Sequence, residues 1–254
     1  MKKIILYVLT GLILFSFTSC SLINKYKVRD EIEEVGDLVL GDGTVLPFKV
    51  VSSDNVTNDQ INQRVAMIYK IEDNTAWGVG IKTYSYNWCS GGANAYGTNI
   101  ETIQCTVTGT AGNYQITGDK NGEDNFQQIS TYLKSNGGND TSTEDFYRAF
   151  YRQKNYLGDD DGFFDEDACL PEYFDGWYLP TIAELYDIYE AKKYVKEIYN
   201  PDMGYNFMSS TQDPDEDENI FILDFATGEI KSVKKVANRV GAMTTIYIRK
   251  FKID

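Results

Sequence analysis

Two short acidic segments contain the densest groups of side chains that could bind a metal ion. The first spans residues 159–167 and the second spans residues 213–219. Calcium takes six to eight oxygen ligands from flexible loops, and alternate acidic residues can converge on one ion. Neither segment has the glycine position of an EF-hand loop, so a solvated acidic loop is the simpler interpretation of each and bound Ca²⁺ is the alternative. The candidate ligands are Asp159, Asp160, Asp161, Asp165, Asp213, Asp215 and Asp217.

The chain has no histidine, which removes the most common acid–base group at neutral pH. Ser-His-Asp and Cys-His catalysis are therefore excluded, together with His-ligated zinc and haem. The sequence also has no P-loop, GxSxG nucleophile motif or dinucleotide-binding glycine motif. We therefore expect a protein without enzyme activity, and a pair of carboxylates acting as in glycosidases is the remaining catalytic alternative.

Aromatic side chains are the other candidates for ligand contacts. The chain has 19 tyrosines and 3 tryptophans, and a glycine- and asparagine-rich stretch contains Tyr84, Tyr86, Trp88 and Tyr96. Rings in such loops suit stacking against sugars and contacts with proteins. The alternative interpretation is that these rings pack the long loop against the core.

Three cysteines in the body of the chain could form one disulfide. Cys89 with Cys105 closes the shortest loop and is the first choice, and Cys89 with Cys169 is the second. Three buried thiols are the alternative, because unpaired cysteine is often a core residue. No CxxC pair is present, so a redox site or a zinc ribbon has no support.

Cys20 is the clearest candidate for covalent modification. Two lysines at the start of the chain precede an apolar run over residues 4–17, and two small residues lead directly into Cys20. The run is typical of a signal peptide and is shorter than the ~20 residues of a membrane span. The arrangement resembles a bacterial lipobox, which implies that residues 1–19 are removed and that Cys20 carries lipid. An uncleaved signal anchor, or a secretory signal in which Cys20 is incidental, is the alternative.

Charge narrows the partners that the exported protein could have. The formal net charge is −14, and 42% of the residues are hydrophobic, which is enough for a real core. Such a surface repels nucleic acid and anionic lipid head groups. We therefore expect no nucleic-acid binding, and attachment through the N-terminal lipid to a bacterial membrane, at the outer membrane or the cell surface.

The patterns along the chain predict a tether followed by one α+β domain. Residues 20–34 are polar and charged, as in a tether, and the domain spans residues 35–254. An Asp-Gly pair predicts a hairpin near residue 42. Alternating apolar residues predict strands over residues 37–40, 44–48, 64–71, 76–83, 206–210, 220–225, 229–233 and 244–251. Helical periodicity predicts helices over residues 125–134, 142–151 and 181–193.

The best-marked helix begins after Thr181. Thr181 and Glu184 match the S/T-x-x-E capping box, in which each side chain binds a backbone N–H at the start of the helix. Trp177 lies just before a proline and this helix, where packing alone explains a large ring. A purely structural role is therefore the favoured interpretation of this segment, and a binding role is the alternative.

The same segment carries a resemblance to a known family. Residues 176–185 read G-W-Y-L-P-T-I-A-E-L, similar to the W-x-L-P-T-x-x-E-L signature of the bacterial domain named for the C-terminal part of Lcl collagen-like adhesins. A related group is the Fibrobacter major paralogous domain. Residues 207–212, 222–230 and 246–249 also resemble later strands of the family, and the best match covers residues 175–251.

The resemblance implies a C-type-lectin-like fold with short helices and antiparallel strands. It also implies cell-surface binding, including glycan adhesion by some members, and it carries no catalytic residues. Phe207 stands where the family usually has tryptophan, so a contact made by that ring is not carried over. The acidic charge is a poor match for sulfated glycans, which need Lys and Arg.

These observations predict an envelope-anchored lipoprotein with a non-catalytic binding or adhesion role and a glycan or protein ligand. The alternatives are a structural envelope component without a soluble ligand and an acid-pair hydrolase on the same scaffold. Three surface features would separate them. A groove with exposed rings favours glycan binding, two facing buried carboxylates favour hydrolysis, and a flat apolar patch favours assembly.

Overall fold

Short antiparallel strands and a few short helices build the protein, as the turn residues and apolar patterns predict. The computed structural model describes residues 28–53, 56–138, 144–158, 169–199, 204–236 and 243–253. Within those residues no helix is long and apolar enough to cross a membrane. The predicted signal peptide and Cys20 lie outside the described residues.

The strands and helices alternate irregularly along the chain. The strands are β1 (Leu38–Leu40), β2 (Val45–Leu46), β3 (Arg64–Glu72), β4 (Thr75–Gly80), β5 (Cys105–Thr108), β6 (Gln115–Gly118), β7 (Trp177–Tyr178), β8 (Asn206–Gln212), β9 (Asn219–Asp224), β10 (Glu229–Lys234) and β11 (Ile248–Lys252). The α-helices are α1 (Phe48–Val51), α2 (Asn58–Asn62), α3 (Asn125–Ser135), α4 (Arg148–Tyr151), α5 (Ile182–Glu190) and α6 (Lys192–Val195).

A six-stranded antiparallel sheet is the centre of the fold. Its strand order is β2-β1-β3-β4-β11-β7, while β10-β9-β8 form a second sheet and β5-β6 form a separate hairpin. The predicted hairpin near residue 42 is confirmed: β1 pairs with β2, and Gly43 has a φ of 88°, which glycine adopts without strain.

Two hydrophobic cores lie on opposite faces of the six-stranded sheet. Successive residues of β3 alternate between them, since Ala66 and Ile68 pack in the first core and Met67 and Tyr69 pack in the second. Helices α3 and α4 supply apolar side chains to the first core, and α5 and α6 supply them to the second.

A β-bulge in β3 changes which side chains face α5. Ile68 pairs with Gly78, but the next pair joins Lys70 to Trp77, so Tyr69 is the extra residue. A regular strand would place Lys70 on the face opposite Tyr69. Instead, Lys70 reaches Asp187 of α5, with an Nζ–Oδ2 distance of 3.3 Å.

The capping box at Thr181 is confirmed. The Glu184 N–H donates to Thr181 Oγ1 at 3.1 Å, and the Thr181 N–H donates to Glu184 Oε2 at 2.8 Å. The helix ends at Glu190, three residues earlier than predicted, and α6 follows after Ala191. Trp177 is buried, as the structural interpretation of this segment predicts.

Other predicted elements also differ from the structure. The strand predicted over residues 44–48 is limited to Val45–Leu46, because Phe48 begins α1. The strand predicted over residues 76–83 ends at Gly80. The last predicted strand begins at Ile248, because Thr244 and Thr245 form bridges to two other segments. In the described part of residues 142–151, Tyr147 has φ −134° and ψ 45°, which separates a 3₁₀ turn from α4.

The predicted tether is shorter than residues 20–34, because residues 28–34 pack on the domain. The backbones of Arg29 and Val45 exchange two hydrogen bonds of 2.8 Å each. Val28 packs against the second core and Ile32 against the first. The Arg29 guanidinium also binds the buried carboxylate of Asp37. The folded domain therefore includes Val28, which moves the predicted boundary at residue 35 toward the N-terminus.

Candidate functional site

Trp88, one of the four predicted ligand-contacting rings, is a core residue. It is fully buried, and its ring meets Phe150 edge to face with 5.1 Å between centroids. A ring without exposed surface cannot stack on a ligand in this conformation. The prediction of a ligand contact at Trp88 is therefore wrong, and the packing alternative holds at this position.

The other three predicted rings are half-buried, and neighbouring groups hold them. Tyr84 stacks on Tyr86 with 5.8 Å between centroids. Arg152 donates to the Tyr84 hydroxyl at 2.8 Å and lies over its ring. The Tyr96 hydroxyl donates to Glu218 at 3.2 Å. The structure thus brings Tyr84 and Tyr86 together, and these contacts fasten the loop to the domain.

The predicted disulfide between Cys89 and Cys105 is absent. Both are buried thiols, and they lie in different cores, Cys89 in the first and Cys105 in the second. The Cys105 thiol donates to the Asp119 carbonyl at 2.8 Å, and burial raises the pKa of Cys105 to about 12. Cys169, the second-choice partner for Cys89, is a half-buried thiol. The alternative of three buried thiols therefore holds for Cys89 and Cys105 but not for the half-buried Cys169.

The acidic turn at residues 213–219 uses its first carboxylate internally. Asp213 Oδ1 accepts from the Asp215 N–H at 3.0 Å, and Oδ2 accepts from the Ser232 hydroxyl. The Asp217 carbonyl accepts from Lys235 at 2.5 Å. Among the described residues, no group of three His, Cys, Asp or Glu side chains could hold a metal ion. Asp213, Asp215 and Asp217 therefore do not assemble a Ca²⁺ site here, because the turn binds its own backbone and the adjacent strand β10.

The other acidic segment, with Asp159, Asp160, Asp161 and Asp165, lies outside the described residues. Ca²⁺ binding by that segment stays a prediction.

A row of three side chains across the six-stranded sheet forms the floor of a cleft. Trp77 of β4 pairs with Lys70 of β3 on one side and with Lys250 of β11 on the other. Lys70 Nζ lies 5.3 Å from the centroid of the Trp77 ring. Lys250 Nζ lies 5.9 Å from the centroid of the Tyr178 ring on β7. The row presents a partly exposed indole between two ammonium groups.

Helix α5 and the β5–β6 hairpin form the walls of this cleft, which we name the Trp77 cleft. Its volume is about 420 Å³. Lys120 and Asn121, which follow the hairpin, also line the cleft. The remaining lining side chains are those of Tyr69, Tyr114, Ile116, Ala183, Glu184, Tyr186, Asp187 and Glu190.

Tyr114 fixes the hairpin against the rest of the domain. Its ring meets Tyr186 of α5 edge to face, with 5.7 Å between centroids. Its hydroxyl accepts from the backbone N–H of Ile230 on β10 at 3.2 Å. One tyrosine therefore joins the hairpin to α5 and to the second sheet, which holds the cleft wall in place.

Acidic neighbours balance two of the three lysines of the cleft. Lys70 lies 3.3 Å from both Asp187 and Glu72. Burial acts to lower the pKa of Lys70, but these two carboxylates outweigh it and raise the pKa. Lys250 binds Glu123 at 2.6 Å. Lys120 is exposed and has no ion-pair partner among the described residues. The cleft therefore combines an aromatic floor with charged groups of both signs.

Glu184 lies at the base of the cleft, and donors within the protein occupy both of its carboxylate oxygens. Oε2 accepts from Thr181 and from the Gly122 N–H at 3.1 Å, and Oε1 accepts from the Tyr178 hydroxyl at 3.0 Å. Burial raises the pKa of Glu184 to about 7, although these hydrogen bonds act to lower it. This carboxylate holds α5, β7 and the 3₁₀ turn at Gly122–Asp124 together.

Trp77, Lys70 and Lys250 were not among the residues that the sequence singled out. Alternation within the predicted strand could have placed Trp77 on the face opposite Ala76. Nothing in the sequence marks the bulge at Tyr69, which brings Lys70 beside Trp77. The pairing of β11 with β4 joins residues that are about 170 positions apart, so only the fold shows that Lys250 lies beside Trp77.

Comparisons with known proteins give little further information. No protein-family model and no curated protein matches the sequence. Among solved structures, the chain is similar to a fimbrial protein from Bacteroides ovatus ATCC 8483, with 14% sequence identity and a TM-score of 0.48. The alignment covers 87% of this chain and 49% of that protein, so this chain spans about half of its length.

Proposed function

We propose that this protein is a lipid-anchored binding protein of the bacterial envelope and that the Trp77 cleft takes a glycan. The observation that carries the proposal is the Lys70–Trp77–Lys250 row on the cleft floor. An indole face covers the apolar face of a sugar ring, and flanking polar groups bind its hydroxyls. The volume of about 420 Å³ is suited to one or two sugar units.

The buried carboxylates favour binding over hydrolysis. Asp37, Glu184 and Asp213 lie on separate elements, and each accepts hydrogen bonds from groups of the protein. A glycosidase needs two carboxylates that face one substrate bond across about 5–9.5 Å. Glu184 shares the cleft with Asp187, but its oxygens already have donors. The acid-pair hydrolase is therefore the less favoured alternative.

Exposed surface also favours a small ligand over assembly through an apolar patch. Among the described residues, Ile61 is the large hydrophobic side chain that is exposed, at 37%. A patch for obligate assembly needs a contiguous apolar area of several hundred Å². A structural envelope role, like a protein ligand, therefore has less support than a glycan in the Trp77 cleft.

A glycan array probed with the full chain tests the binding proposal. We expect Trp77→Ala to abolish the signal for the bound glycans, because the platform is lost. Tyr132→Ala is the matched control, since Tyr132 is also half-buried but lies on α3 outside the cleft. Melting curves must show that both variants fold. Equal binding by the two folded variants would place the ligand elsewhere.

Lipid anchoring, the family resemblance and a C-type-lectin-like fold remain parts of the proposal that rest on the sequence. Cys20→Ala should leave the precursor uncut or release the protein from membranes. Mass spectrometry of the mature N-terminus would decide, because an unmodified N-terminus at another residue contradicts lipidation.

A further inference from the structure

Arg249 is a partly buried arginine whose guanidinium has no acceptor within the described part of the chain. Nε and Nη1 are both covered and have no hydrogen-bond partner, and no ion pair joins Arg249 to a described residue. Arg29 and Arg152 each have one buried Nε without a partner, but each is bonded through another nitrogen. Arg29 binds Asp37 and Glu33, and Arg152 binds the Tyr84 hydroxyl. Buried polar groups in native proteins are normally bonded, so an exception indicates a missing partner.

Two aromatic rings hold the Arg249 guanidinium in place. Its Cζ lies 5.0 Å from the centroid of Tyr173 and 5.2 Å from the centroid of Phe251. Such contacts orient the guanidinium without supplying an oxygen acceptor. Burial lowers the pKa of Arg249, and the nearby carboxylates of Glu172 and Asp175 offset this only in part.

Arg249 lines a pocket of about 310 Å³ on the sheet face opposite the Trp77 cleft. Ile32, Val39, Tyr173 and Phe251 give the pocket apolar walls. Lys250, the next residue of β11, lines both this pocket and the Trp77 cleft, but the rings and carboxylates around Arg249 belong to the pocket alone. The pocket can therefore receive an apolar body next to a charged group.

We propose that this pocket binds a small monocarboxylate through the Arg249 guanidinium. The planar fork of arginine matches the two oxygens of a carboxylate. Asp30, Glu31 and Glu172 line the pocket together with Lys250 and Lys252, so its acidic and basic side chains balance. A monoanion therefore matches the one guanidinium better than a dianion such as phosphate does. A bound carboxylate gives the guanidinium donors the acceptor that they lack. The proposal is independent of the glycan proposal.

The test follows the Nε–H signals of arginine by NMR in the full chain labelled with ¹⁵N-arginine. Benzoate is the probe, benzamide is the neutral control of the same shape, and phosphate is the dianion control. We expect benzoate to shift one signal saturably, with benzamide and phosphate at least tenfold weaker. Arg249→Lys should remove that signal and weaken benzoate binding, measured calorimetrically, about tenfold. Arg148→Lys, at an exposed arginine, should leave the affinity unchanged.

Three results would overturn the proposal. The first is the absence of a saturable benzoate shift, and the second is equal binding of benzoate and benzamide. The third is tighter binding of phosphate, which would assign the pocket to dianions. The Glu172→Gln variant tests whether the Glu172 carboxylate itself binds the Arg249 guanidinium. If that variant shifts the Arg249 signal without ligand and benzoate has no effect, Glu172 is the partner and the pocket has no external ligand.

Discussion

The surroundings of Lys235 and Arg249 show two outcomes of removing a basic side chain from water. Lys235 is fully buried, and its ammonium donates to the carbonyls of Ala95, Tyr96, Thr98 and Asp217 at 2.5–3.3 Å. Arg249 has aromatic neighbours and no oxygen acceptor among the described residues. Protein contacts therefore account for the first cation and leave the second without a partner.

The difference in hydrogen bonding separates a side chain that stabilises the fold from one that could bind a ligand. Lys235 fastens the loop at residues 95–98 to the acidic turn at residues 213–219, so its charge serves the fold. The side chain of Arg249 joins no two described segments by hydrogen bonds, and it lines a pocket. A buried donor whose hydrogen bonds are all made within the protein stabilises the fold, whereas a buried donor without an acceptor is a candidate ligand contact.

The largest expected effect is the loss of the Lys235 ammonium. Lys235→Met should cost about 3 kcal/mol, because several buried carbonyls would lose their donor. Burial lowers the pKa of Lys235 to about 8, so at pH 7 the wild-type side chain is still mainly charged. Urea denaturation at pH 7 measures the cost. Lys234→Met is the matched control at an exposed neighbour, and equal costs for the two variants would break the comparison.

Glu184 is a buried acid and resembles Lys235, because groups of the protein donate hydrogen bonds to both of its carboxylate oxygens. Because burial raises the folded-state pKa from 4.5 to about 7, the folded protein binds the proton more tightly than the unfolded chain. This contribution to stability is complete below pH 4.5 and is lost as the pH rises through 7. A shift of that size corresponds to about 3 kcal/mol. Glu184→Gln should remove this pH dependence between pH 4.5 and 7.5, as measured by denaturation at several pH values. An unchanged slope would mean that another group titrates.

The sequence could predict what neighbouring residues determine. The capping box at Thr181 and the turn at Gly43 depend on contacts within a few residues, and both are present. The separation of Cys89 from Cys105 depends on which core each residue joins, and loop length does not reveal it. The same holds for Arg249, because the absence of an acceptor is a property of every segment around it.

Removing the N-cap side chain of either of two helices should lower the stability by a smaller amount that depends on burial. Thr181 is buried, whereas Thr57, which caps α2 with the same capping box, is exposed. Thr181→Ala should cost about 1 kcal/mol, and Thr57→Ala should cost less because water can replace the lost acceptor. Thermal or chemical denaturation of the two variants tests this order. A larger loss at Thr57 would contradict the view that burial sets the cost of a missing partner.

The smallest expected change in the free energy of unfolding is that of Arg249→Met, and it tests whether Arg249 and Lys235 have different roles. Arg249→Met keeps an apolar stem against Tyr173 and Phe251 and removes two buried N–H groups that have no acceptor. The loss of the cation–π contacts, about 0.5–1 kcal/mol, is offset by the removal of those groups. We therefore expect the free energy of unfolding to change by less than about 0.5 kcal/mol. Arg29→Met is the control, because it deprives the buried Asp37 carboxylate of its cation and should cost about 2 kcal/mol or more. If Arg249→Met costs as much as Arg29→Met in urea denaturation, Arg249 has a partner within the protein and serves the fold as Lys235 does.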